Sequence, residues 1–176
     1  MLIGNRVPKD FFVTSGVGES EITIHAGSYH LALRDAGIEM ANIMTYSSIL
    51  PRGATKIEKP ESFTHGEVME SIMAVSSARY GDTATAGIIY GWLYTEDGER
   101  VGGLVCEYNG SMPEENARPH LREMINELHS NGYEHLELRD TVVLVRSVVP
   151  KKMYGTALVA LCFTSYEIPT VDEAKR

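Results

Sequence analysis

An α+β fold in one domain is predicted by three observations. Strand-like runs rich in Val, Ile and Tyr outnumber two segments with helical spacing, and strands clustered apart from helices give layered α+β architectures. Short clusters of Gly, Pro, Asn and Asp separate the runs. At 176 residues the chain is long enough for one sizeable core. Hydrophobic residues make up 43% and charged residues 23%, which is ordinary for a soluble globular protein.

The elements follow in order. Phe11 to Thr14 reads as a short strand ended by a glycine turn at 16–18. Ser28 to Ala36 reads as a helix, with Gly37 as its C-terminal stop. Glu39 to Ser48 reads as a strand, and residues 51–65, with Pro51, Gly53 and Pro60, as a loop. Glu67 to Ala78, Ala84 to Tyr94 and Val101 to Tyr108 read as strands, although Val68, Ile72 and Val75 would also suit a helix. Glu96-Asp97-Gly98 is a hairpin signal between the second and third.

Pro113-Glu114-Glu115 starts a second helix, with the acids at the positive end of the helix dipole. Ala117, Leu121, Ile125 and Leu128 continue it at helical spacing, and Asn131-Gly132 stops it. Thr141 to Val149 and Tyr154 to Tyr166 read as strands, the last apolar on both faces and so buried on both. Asp172 and Glu173 read as solvated surface.

The net charge of −8 and the lack of any Lys/Arg cluster argue against nucleic acid and are compatible with a cationic ligand. No apolar run approaches a membrane-spanning length, and the N-terminus lacks a signal-peptide pattern. The expected location is the cytoplasm, with no membrane partner. Cys106 and Cys162 lie in apolar strand-like runs and read as buried free thiols. The histidine pairs His25/His30 and His129/His135 lack zinc-site spacing, so no metal is expected.

The junction Tyr46-Ser47-Ser48-Ile49-Leu50-Pro51 admits two readings. One is a strand ending in a hydroxyl-rich turn. The other is self-cleavage, in which the Ser48 hydroxyl attacks the Ser47 carbonyl and Ser48 ends as a pyruvoyl group.

Further blocks bear on the choice: Thr14 to Ser20, Ser28 to Ile38, Asn42-Ile43, His65 to Met69, and Gly102-Gly103-Leu104-Val105-Cys106-Glu107-Tyr108. In this order and spacing, over roughly residues 10 to 165, they resemble the pyruvoyl-dependent arginine decarboxylases. The resemblance implies a four-layer α-β-β-α sandwich, assembled as trimers or a dimer of trimers with active sites between subunits. It implies cleavage of the single 1–176 domain between Ser47 and Ser48, into chains 1–47 and 48–176. It also implies a covalent pyruvoyl group made from Ser48 that takes the substrate amine as a Schiff base while CO₂ departs.

The same resemblance implies roles for other residues. Asn42 matches the asparagine used in processing and is the candidate oxyanion donor. Glu107 matches the proton donor; its otherwise apolar strand would raise its pKa, which suits a general acid near neutrality. Ser47 and His30 fall at substrate-binding positions. His30 departs from the pattern, since the family carries there an aspartate that grips the guanidinium, and a neutral imidazole offers no bidentate acceptor. Asp35 lies about 140° round the helix from His30 and is no simple substitute. Glu19 or Glu21, before the helix, could supply the acid instead. The expected function is decarboxylation of arginine to agmatine, for polyamine synthesis or acid resistance. Two alternatives remain: a decarboxylase of another amino acid, and a non-catalytic trimeric homologue that binds a small metabolite.

Overall fold

Alternation along the longest apolar runs sorts side chains to two faces and builds sheets covered on both sides. The computed structural model describes residues 2–171. Asp172 and Glu173 lie outside the described residues. In chain order the strands are β1 (Leu2–Ile3), β2 (Val7–Pro8), β3 (Asp10–Ser20), β4 (Asn42–Thr45), β5 (Ile49–Pro51), β6 (Thr55–Lys56) and β7 (Val68–Arg79). There follow β8 (Ala84–Tyr94), β9 (Arg100–Gly110), β10 (Glu137–Val148), β11 (Tyr154–Phe163), β12 (Tyr166–Glu167) and β13 (Thr170–Val171). The helices are α1 (His30–Ala36), entered through a π-helical turn at Ile24–Tyr29, and α2 (Glu114–Ser130).

Two main sheets form. One has the order β4-β7-β11-β3-β6 and the other β10-β8-β9-β5. The first is mixed, because β4 runs parallel to β7 and β6 parallel to β3. Two short pairings, β1 with β13 and β2 with β12, tie the chain ends together. The class is therefore α+β, as expected.

Three apolar clusters hold these elements. Phe11, Ile72, Val159 and Leu161 of the first sheet meet Leu50, Ile88, Tyr90 and Val105 of the second. The opposite face of the first sheet, with Phe12, Leu158 and Cys162, meets Ala32, Leu33 and Ala36 of α1. The opposite face of the second, with Ile89, Leu104 and Cys106, meets Ala117, Leu121 and Ile125 of α2. The helical stripe read on α2 is thus its packing face, and β11 is buried on both faces.

Several boundaries differ from expectation for identifiable reasons. Gly16 and Gly18 do not end a strand; β3 runs straight through them. They are needed because α1 lies so close that a Cβ at Gly16 would strike the Ala32 carbonyl, and one at Gly18 the Ser28 carbonyl. The helix begins at His30 rather than Ser28, because the turn before it is π-helical. Gly37 does stop it, in the left-handed conformation at φ 69°. Glu67 to Ala78 resolves as strand β7, since its Ile72 and Ala74 face the inter-sheet core. The loop at 51–65 contains the short parallel strand β6. The expected strand from Glu39 to Ser48 is the largest difference. It is strand only over β4; the chain then leaves one sheet and enters the other at β5.

Candidate active site

The crossover from β4 to β5 holds Tyr46, Ser47 and Ser48. Each side of it is pinned. The Tyr46 N–H donates to the Ser71 carbonyl of β7 at 2.7 Å, and the Tyr46 ring packs 5.8 Å from that of Phe163. The Val105 N–H of β9 donates to the Ser48 carbonyl at 2.8 Å. Between these anchors Ser47 is exposed and Ser48 half-buried. The Ile49 N–H donates back to the Ser47 carbonyl at 3.0 Å and closes a three-residue turn around Ser48.

The Ser48 hydroxyl donates to Glu107 Oε2 at 3.5 Å, the long limit for a hydrogen bond. Glu107 is half-buried in β9, opposite Ile88 of β8. Burial pushes its carboxyl above the ordinary glutamate range, against the smaller opposing effects of its own backbone N–H and the Ser48 hydroxyl. Ser48 and Glu107 open onto a cleft of about 330 Å³, walled also by Cys106 and by Met124, Glu127 and Leu128 of α2. Cys106 is no rival nucleophile. Burial first, then the neighbouring Glu107 charge, pushes its thiol up to about 11.

Of the residues singled out in the sequence, Ser47, Ser48 and Glu107 come together. Asn42 does not join them within the chain. It opens β4, and its side-chain amide donates to the Gly66 carbonyl at 2.9 Å. His30 is exposed at the start of α1, on the face of the other sheet. Glu19 accepts from the backbone N–H groups of Lys151 and Lys152, at 2.6 and 3.1 Å. Glu21 accepts from that of Met153 at 3.3 Å. Asp35 accepts from the Val17 N–H at 2.9 Å. Glu19, Arg34, Asp35, Lys151 and Lys152 line a separate, wider cleft of about 720 Å³. The α2 wall of the first cleft was not legible as a site. Leu128 belongs to the apolar stripe read from helical spacing, and no pattern in the sequence singles out Met124 or Glu127.

The arrangement combines a serine hydroxyl beside a peptide carbonyl with a half-buried carboxyl able to hold or release a proton. The model of the pyruvoyl-dependent arginine decarboxylase family matches residues 10–168. A pyruvoyl-dependent arginine decarboxylase AaxB of Chlamydia abortus is 31% identical over 193 residues, covering 95% of this chain and 96% of that protein. Pyruvoyl-dependent arginine decarboxylase 2 of Archaeoglobus fulgidus is 33% identical over 128 residues, covering 69% and 76%. A pyruvoyl-dependent arginine decarboxylase of Methanocella arvoryzae is 43% identical over 106 residues, covering 58% and 62%.

Proposed function

Because the chain belongs to the pyruvoyl-dependent arginine decarboxylase family, we propose that it decarboxylates arginine to agmatine, using a covalent pyruvoyl group made from its own Ser48. The observation that carries this reading is the Ser48 hydroxyl directed at Glu107, at the mouth of a cleft. Ser48 suits the group: it lies at the start of an edge strand, half-buried, with its carbonyl fixed by Val105. A pyruvoyl carbonyl there would serve as the electron sink for loss of CO₂ from an amino acid.

The chain's own residues do the rest. Glu107 holds a proton beside the reacting carbon and delivers it once CO₂ has left; burial favours the protonated form this requires. Glu127 offers a carboxylate on the far wall of the same cleft, in place of the acid that His30 lacks. Asn42 acts in processing as a positioning residue, holding the start of β4 against Gly66. The three apolar clusters support reading the layers as an α-β-β-α sandwich in one domain.

The family's trimeric assembly needs an apolar contact surface, and the exposed side chains of Met44 and Ile49 beside the crossover support one. A neighbouring subunit seated there would close the open side of the cleft and could bring its His30 or Glu19 to the substrate. The absence of a helix long and apolar enough to cross a membrane, among the described residues, is compatible with a cytoplasmic enzyme.

The deciding experiment is intact mass spectrometry after treatment with a carbonyl-trapping hydrazine, followed by assay of CO₂ release from arginine. We expect chains 1–47 and 48–176, a trapped carbonyl on the second, and activity. Ser48→Ala should abolish all three. An uncut, hydrazine-inert protein that still binds arginine would favour a non-catalytic homologue.

A further inference from the structure

We propose that the backbone N–H of Ile49 is the oxyanion donor for self-cleavage. The inference rests on the reading that the Ser47–Ser48 bond is cut, and it concerns how the chain makes that cut possible. The carbonyl attacked is that of Ser47. Its oxygen already accepts the Ile49 N–H at 3.0 Å in the continuous chain.

The ladder explains why this N–H is free for the task. Ile49 faces Leu104 across the β5–β9 pair. The Val105 N–H bonds to the Ser48 carbonyl, one residue before Ile49. That placement makes Ile49 and Leu104 a non-hydrogen-bonded pair, so the Ile49 N–H points away from β9. Strand β5 is the sheet edge, with no strand paired beyond it among the described residues. In place of a ladder partner the N–H takes the Ser47 carbonyl. The side-chain amide of Asn42, the alternative donor, is turned to Gly66.

The reacting unit is therefore held at three points: the Ser47 carbonyl by Ile49, the Ser48 hydroxyl by Glu107 and the Ser48 carbonyl by Val105. In the first step Ser48 Oγ bonds to the Ser47 carbonyl carbon, and its proton passes to the Glu107 carboxylate it faces. The carbonyl electron pair moves onto the Ser47 oxygen, where the Ile49 N–H meets the new negative charge. Collapse re-forms that carbonyl and breaks the carbon–nitrogen bond. The departing pair goes to the Ser48 nitrogen, which takes the proton back. An ester replaces the amide with no net change in atoms or electrons. Later elimination and hydrolysis consume one water and release ammonia. An amide-to-ester shift is uphill for a relaxed peptide, so a donor in place before charge develops acts on the difficult step. Losing one such donor typically slows reaction by about 10²–10³-fold.

The test replaces Ile49 by its α-hydroxy acid analogue in the full chain, which exchanges the N–H for an ester oxygen and keeps the side chain. The rate at which chain 48–176 appears is followed by intact mass. The same replacement at Val105 controls for weakened pairing at Ser48, and circular dichroism checks folding. We expect slowing of about 10²–10³-fold at position 49, larger than at 105. Equal rates in wild type and the position-49 analogue overturn the proposal alone. No cleavage in wild type overturns the self-cleavage reading and the proposal with it. Should the analogue misfold, amide exchange in uncut Ser48→Ala decides. Protection of the Ile49 N–H, with a scalar coupling to the Ser47 carbonyl carbon, supports the contact; free exchange with no coupling overturns it.

Discussion

A hydroxyl within 3.5 Å of a half-buried carboxyl couples the two reactions proposed for this chain. Burial raises the Glu107 pKa, while the Ser48 hydroxyl pulls it down. Conversion of Ser48 removes that hydroxyl, so burial acts with less opposition and Glu107 holds its proton more firmly when it must act as an acid. Glu107→Gln should slow the appearance of chain 48–176, since Glu107 takes the Ser48 proton, and should lower turnover per processed chain by roughly 10²–10⁴-fold. In the wild type, turnover should fall as pH rises through the raised Glu107 pKa, because the general acid is then lost. A pH–rate profile of the glutamine variant should lack that limb. Undiminished turnover in the variant would assign the proton to another group. For the side-chain end of the substrate, Glu127→Gln should raise the KM for arginine by roughly ten- to a hundredfold with processing unchanged, the cost of one charge-assisted hydrogen bond. If His30→Asp tightens arginine binding by that factor and Glu127→Gln does nothing, the grip belongs near α1 instead.

At the scale of elements, the close approach of α1 to β3 is the most sensitive contact. The atoms facing Gly16 and Gly18 include backbone carbonyls of α1 and its lead-in, which cannot swing aside as a side chain would. Gly18→Ala should therefore act as overpacking, at a cost of about 1–3 kcal/mol. For a chain of this size that lowers the melting temperature by roughly 2–12 °C in a calorimetric scan. An unchanged melting temperature would mean that α1 has room to shift. These glycines also mark what could be read in advance. Strands β8 and β9 and the α2 stripe were legible because hydrophobic period is a local property. Gly16 and Gly18 were misread as a turn, since a glycine that admits a neighbouring helix looks in sequence like one that bends the chain. The step from β4 to β5 was hidden similarly: Asn42 to Ser48 is continuously strand-like, and only pairing with β7 and then β9 divides it. Within the site, Ser48 and Glu107 were legible by type and context. Glu127 was not, because its place in the cleft depends on which crossover α2 overlies.

For the whole molecule, cleavage would divide elements that remain interlocked. Chain 1–47 would supply β3, an inner strand between β11 and β6, together with α1 and the edge strand β4. The cut protein should stay associated without a covalent link, and its unfolding should become a dissociation. Its melting temperature should then rise more steeply with protein concentration than that of uncut Ser48→Ala, in which only whole subunits separate. Equal concentration dependence in the two proteins would show that the halves do not separate on unfolding. The Val105–Ser48 hydrogen bond carries a last consequence. It forms only when β5 has docked in register on β9, after residues far apart in sequence have met. A chain trapped in a wrong register keeps its serine and acquires no electrophile. Under the proposed cleavage, activation would work as proofreading: only a correctly assembled molecule would arm itself, and the cut chain would be a permanent record that it did.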